Sequence, residues 1–100
     1  MEIVEITPGN FEEFVRQPKV LLDFYAPWCG PCRQMAAELE KIAAMHPDTA
    51  IGKVNIDAAA NRQIIAAFDV STIPSIYFLK KGTIEKHLIG FRPASSFNFL

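Results

Sequence analysis

Val20, Leu21, Leu22, Phe24 and Tyr25 form an almost unbroken apolar run, interrupted only by Asp23. A short run without alternation is the pattern of a strand buried on both faces, which requires packed layers above and below its sheet. Ala26-Pro27-Trp28 breaks the run and leads into Cys29-Gly30-Pro31-Cys32. From Pro31 onward Met35, Leu39, Ile42 and Ala43 recur at helical spacing, with Arg33, Gln34, Glu38 and Lys41 around them. Pro47 ends this helix near His46. The only two cysteines of the chain therefore stand where a buried strand gives way to the mouth of an amphipathic helix.

The rest of the chain supplies the layers. Ile3 to Ile6 reads as a first strand, closed by Pro8-Gly9. Asn10 with Glu13 three residues on makes a capping-box-like start to a helix that carries Phe11, Phe14 and Val15 and stops at Pro18. Ala50 to Ile56 reads as a strand and Asn61 to Phe68 as a helix with Ile64, Ile65 and Phe68 inward. Ser75 to Leu79 and Ile84 to Ile89 read as a hairpin across Lys81-Gly82. Beyond Pro93 there is room for a couple of helical turns. With no repeat, linker or low-complexity tract, residues 1–100 read as one domain of the α/β class, a mixed four- to five-stranded sheet with helices on both faces.

A net charge of -1 and a single adjacent basic pair, Lys80-Lys81, argue against nucleic acid as a partner. The apolar run is too short to span a bilayer, and acidic Glu2 and Glu5 are the reverse of a signal peptide's basic start. A membrane role is therefore not expected, and a cytoplasmic location is.

In a reducing compartment a Cys-x-x-Cys pair points to redox chemistry or metal ligation. The thiolate is the attacking species, and free N–H groups at a helix start, with the dipole behind them, favour that anion. Cys32 lies one turn after Cys29, on the same face, and Pro31 suits a first turn where its missing N–H costs little. The plainer readings are two small core hydrophobes or half of a metal site. His46 follows at zinc-finger spacing, but Ala50, Ile51 and Gly52 stand where a second histidine is needed; His87 is the other histidine. No metal is expected. Asp23, flanked by apolar residues on both strand faces, is either an acid bonded to backbone or a carboxyl raised by burial into the range of a general base.

Phe24-Tyr25-Ala26-Pro27-Trp28-Cys29-Gly30-Pro31-Cys32 closely resembles the active-site segment of the thioredoxin family. Asp23, Lys53-Val54-Asn55-Ile56-Asp57, Ile73-Pro74, Gly82 and Gly90 fit the same pattern over roughly residues 2 to 91. The resemblance implies the thioredoxin fold and a thiol–disulfide oxidoreductase that reduces protein disulfides. A lowered pKa at the first cysteine is an established property of that family.

By the same resemblance, Cys29 is the exposed nucleophile and Cys32 the buried resolving thiol, and the redox-active Cys29–Cys32 disulfide takes the place of a cofactor. Asp23 accepts the proton of Cys32, with Lys53 as a modulator. Trp28, Gly30, Pro31, Ile73, Pro74 and Gly90, with Phe91, form an apolar substrate-docking surface. The resemblance also implies a cis Ile73–Pro74 bond, where X–Pro bonds in folded proteins are cis only about 5% of the time. Implied partners are a thioredoxin reductase and disulfide-containing clients; the sequence carries no oligomer signal, and a monomer is expected. Ala37 stands where many family members have a helix-kinking proline, and the segment after Gly90 is shorter than usual. A thiol oxidase or isomerase, or a non-catalytic thioredoxin-fold binding subunit, are the alternatives.

Overall fold

The computed structural model describes residues 2–100; Met1 lies outside the described residues. Five strands form one sheet: β1 (Ile3–Glu5), β2 (Lys19–Tyr25), β3 (Ala50–Asn55), β4 (Ser75–Lys80) and β5 (Thr83–Ile89). Their spatial order is β1-β3-β2-β4-β5. The first three run parallel, and β4 and β5 are antiparallel to β2 and to each other. β2 is central, and Val20 to Phe24 are all buried, as an apolar run without alternation requires.

Helices lie on both faces. The long α2 (Gly30–Met45) and a C-terminal 3-10 turn (Ala94–Phe97) cover one side. There Met35, Leu39, Ile42, Ala43 and Phe97 pack on Leu21, Ile51, Ile76 and Phe78. On the other side α1 (Phe11–Val15) and α3 (Arg62–Ala66) bring Phe14 and Ile64 against Val20, Leu22, Phe24, Val54 and Tyr77. Gly52 of β3 sits beneath α1, where a Cβ would come within 2.8 Å of Ile6 and 2.9 Å of Phe14. The β4–β5 hairpin turns on Lys81 and Gly82, with φ of 53° and 81°, the left-handed pair of a two-residue hairpin loop.

Three local expectations are corrected. Asn10 precedes α1 but does not cap it. Its Oδ1 accepts from the Thr7 N–H at 2.8 Å and its Nδ2 donates to the Glu5 carbonyl at 3.0 Å, so it stitches the turn after β1 instead. The segment expected as a helix from Asn61 to Phe68 begins earlier, as a 3-10 turn at Ala59–Asn61, and its α-helix ends at Ala66. Buried Asn61 causes the early start, because its Nδ2 donates to the Asn55 carbonyl at 3.1 Å and anchors the turn to the end of β3. The short C-terminal segment forms one 3-10 turn rather than helical turns. It still closes its face: Phe97 is fully buried, Phe99 packs on Phe97 and Phe78, and Glu38 accepts the Ala94 N–H at 2.8 Å.

Candidate active site

The carboxyl ends of β2 and β3 meet the start of α2, the edge of a parallel sheet where binding crevices form. Tyr25 is the last residue of β2, and its carbonyl accepts the Ile56 N–H at 2.9 Å. Ala26 then accepts the Cys29 N–H at 3.2 Å, turning the chain into α2. Cys29 occupies the N-cap in extended conformation (φ -85°, ψ 116°), and its Sγ accepts the Cys32 N–H at 3.2 Å. The sulfur thus takes the place of a capping oxygen, meeting an N–H left free at the helix start. Pro31 falls in the first turn, where no intrahelical N–H is needed. α2 then runs unbroken past Ala37 to Met45.

Cys29 and Cys32 are joined in a disulfide, with Cα atoms 5.2 Å apart. The expectation of an exposed Cys29 needs correcting: it retains 6% of its surface, against 2% for Cys32. The order is as expected, but both are recessed, because Ala26 packs against the pair together with Tyr25, Ile56 and Ile73. Two exposed apolar groups belong to the adjoining segments, Trp28 at 67% next to Cys29 and Phe91 at 41% next to Gly90. Trp28 is fixed by its indole N–H, which donates to Asp57 at 2.7 Å. Exposed Pro31 and half-buried Gly30 lie at the helix start. Ile73–Pro74 is cis, and the Pro74 carbonyl accepts the Gly90 N–H at 2.8 Å. Gly90 has φ of 85°, a conformation that favours glycine. His46 caps the far end of α2, roughly 20 Å from Cys32 along a 1.5 Å rise per residue, too far to share a metal with it.

Asp23 shares its strand face with Leu21 and Tyr25, the face covered by α2. It is fully buried, and neither carboxyl oxygen has a hydrogen-bond partner among the described residues. Burial, as the largest influence, raises its pKa to about 7; Lys53 draws it down and Glu5 pushes it up. Lys53 stands beside it on β3, in register. Among the described residues no ion pair joins them; the Lys53 ammonium group lies over the Tyr25 ring, 4.2 Å from its centroid.

Sequence reasoning assigned no role to Ile56, Asp57 or Tyr25. Ile56 and Tyr25 close on the disulfide from strand ends, and Asp57 holds Trp28. The available signals were their place in the family-like segments Phe24–Cys32 and Lys53–Asp57 and at the carboxyl ends of the two parallel strands.

A cysteine capping a helix and disulfide-bonded to a second cysteine one turn on, with a buried carboxyl group on the sheet face that the same helix covers and exposed apolar groups at its mouth, defines a thiol–disulfide oxidoreductase. The comparisons make the class more specific. The Thioredoxin family model matches residues 2–99. A thioredoxin from Chlamydia pneumoniae is 39% identical over 87 residues, covering 87% of this chain and 83% of the relative. A segment of mouse protein disulfide-isomerase A4 is 48% identical over 80 residues, covering 77% of this chain but 12% of that protein. Among solved structures, oxidised mitochondrial thioredoxin 3 of Saccharomyces cerevisiae superposes with a TM-score of 0.85 at 29% identity, covering 97% of this chain and 92% of that one. The chain belongs to the thioredoxin family.

Proposed function

We propose that the protein reduces disulfides in client proteins, with Cys29 as nucleophile, Cys32 as resolving thiol and Asp23 as the acceptor of the Cys32 proton. The Cys29 thiolate attacks a client sulfur, the client disulfide breaks, and the second client sulfur leaves as a thiol after taking up a proton. Cys32 then loses its proton to Asp23 and attacks the Cys29 sulfur. The mixed disulfide breaks, Cys29–Cys32 closes, and the client departs carrying two electrons and two protons. Another two electrons must reopen the pair, and a thioredoxin reductase is their source in this reading. The setting is a monomer in the cytoplasm, serving redox homeostasis and electron transport.

The observation that carries the reading is the Cys32 N–H aimed at the Cys29 sulfur at 3.2 Å, in the first turn of a sixteen-residue helix. Backbone donors and the helix dipole favour an anion there. Exposed Trp28 and Phe91, with Ile73 packed on the pair, support docking by apolar burial, and Lys53 modulates Asp23 by its charge.

The test is trapping. Cys32→Ser, incubated with a disulfide-containing protein, accumulates a covalent adduct that dithiothreitol releases. Cys29→Ser forms none. Adducts in equal yield from both variants contradict the assignment of roles.

The similarity to a segment of protein disulfide-isomerase A4 favours one second reading, a thiol oxidase or isomerase. Reduction potential separates the two. The reductase reading predicts a value near that of thioredoxins, about -270 mV, and the isomerase reading one near about -180 mV.

A further inference from the structure

A row of charged residues crosses three strands on the face covered by α2. Glu5 of β1 is in register with Lys53 of β3, and Lys53 with Asp23 of β2. The row runs acid, base, acid from an exposed edge to the buried centre of the sheet. Neighbouring strands lie about 4.8 Å apart, which puts Glu5 roughly 9–10 Å from Asp23. Tyr25, two residues beyond Asp23 on the same face, closes the row into a circuit. Its hydroxyl donates to Glu5 Oε2 at 2.8 Å, and its ring lies under the Lys53 ammonium group at 4.2 Å. Burial first, and then the bond to Glu5, raise the Tyr25 phenol above its ordinary range, which keeps it a donor.

We propose that Glu5, held in place by Tyr25, is a positioning residue that sets how readily Asp23 exchanges its proton, acting along the row and through the placement of Lys53; the catalytic meaning of this rests on Asp23 being the proton acceptor. A negative charge at Glu5 opposes a second one at Asp23, whereas the Lys53 cation favours it. By holding Tyr25, Glu5 also keeps the ring on which the cation rests, so Lys53 is shared with a π-face and not committed to Asp23. The direction agrees with the pull of each charge on Asp23, upward from Glu5 and downward from Lys53. Lys53 and Glu5 are the charges that bear on Asp23. β4 contributes Ile76 opposite Asp23, and α2 contributes Cys32, Met35 and Leu39, of which only Cys32 titrates when reduced.

The experiment is a carbon-13 NMR titration of the Asp23 carboxyl group in the oxidised protein, where neither cysteine titrates. Glu5→Gln should weaken proton binding at Asp23 by about three- to fivefold at low salt, the effect of one unit charge across two strand spacings in a partly solvated site. Most of that difference should vanish in 1 M salt, because Glu5 is exposed. Tyr25→Phe keeps the ring under Lys53 and should give a smaller shift in the same direction, adding nothing once Glu5→Gln is present. An Asp23 midpoint unchanged in Glu5→Gln overturns the inference, as does full additivity of the two substitutions. The underlying reading is judged apart, by the pH dependence of mixed-disulfide resolution. If Asp23→Asn resolves at the native rate at every pH, Asp23 is not the acceptor and the catalytic role proposed for Glu5 falls with it. If Asp23→Asn is slow while Glu5→Gln moves nothing, only the Glu5 inference fails.

Discussion

Asp23 places a carboxyl group in the centre of a sheet with no hydrogen bond to either oxygen among the described residues, and burial raises its pKa from 3.8 to about 7. Two consequences differ in sign. As a base, Asp23 becomes competent as pH rises through about 7, so resolution of the mixed disulfide should accelerate across that range. Asp23→Asn should slow resolution by about 10²-fold above neutrality and abolish the inflection, as stopped-flow kinetics can measure. For stability the direction reverses. Between the unfolded and folded pKa values the native state holds more protons than the unfolded chain, so stability falls as pH rises from 3.8 towards 7 and then levels off. The full difference is on the order of 4 kcal/mol, the free-energy equivalent of the displaced pKa. Urea unfolding should find Asp23→Asn more stable than the native protein at pH 8 by up to that amount, with the gap closing towards pH 4. A native protein more stable than the variant at pH 8 contradicts the account.

Among the elements, β3 and the C-terminal turn bear the sharpest tests. Gly52→Ala would drive a methyl group into Ile6 and Phe14, at 2.8 and 2.9 Å, and should destabilise the protein by about 1–3 kcal/mol in denaturant titration. Phe97→Ala would empty a fully buried site between α2 and the sheet and should cost about 3–5 kcal/mol. A near-neutral result at Phe97 would show that the short C-terminal segment is dispensable to the core. The regular elements were legible in the sequence because their signals are local: the apolar run of β2, the periodicity from Met35 to Ala43, and Lys81-Gly82 at the hairpin. Asn10 was misread because its amide has two uses with the same local pattern, capping α1 or bonding back to Glu5 and Thr7. Only the path of the preceding strand decides between them. The early start of the segment around Asn61 likewise depends on a bond to Asn55 that no helical periodicity reports.

At the scale of the molecule, the fold exists to bring the ends of β2 and β3, the mouth of α2 and the Ile73–Pro74 segment to one point. The cysteine pair was legible from spacing, since its neighbours in the chain create its environment. The partners of the pair were not legible from spacing; Ile73 entered only through the family resemblance. Ile56 and Ile73 reach it from elsewhere in the chain, Asp57 grips Trp28 across 29 positions, and Glu5 reaches Tyr25 across 20. Such pairings follow from the strand order β1-β3-β2-β4, which brings first and third strands together before the second. The recessed setting of Cys29 has the same origin, because residues distant in sequence cover it.

The central claim is that this arrangement holds the Cys29 sulfur as an anion at the opening of α2. The direct measurement is a titration of Cys29 in reduced Cys32→Ser, following thiolate absorbance together with the rate of alkylation. Half-ionisation is predicted at least about one unit below the ordinary cysteine value of about 8.5. A midpoint at or above that value would contradict the claim.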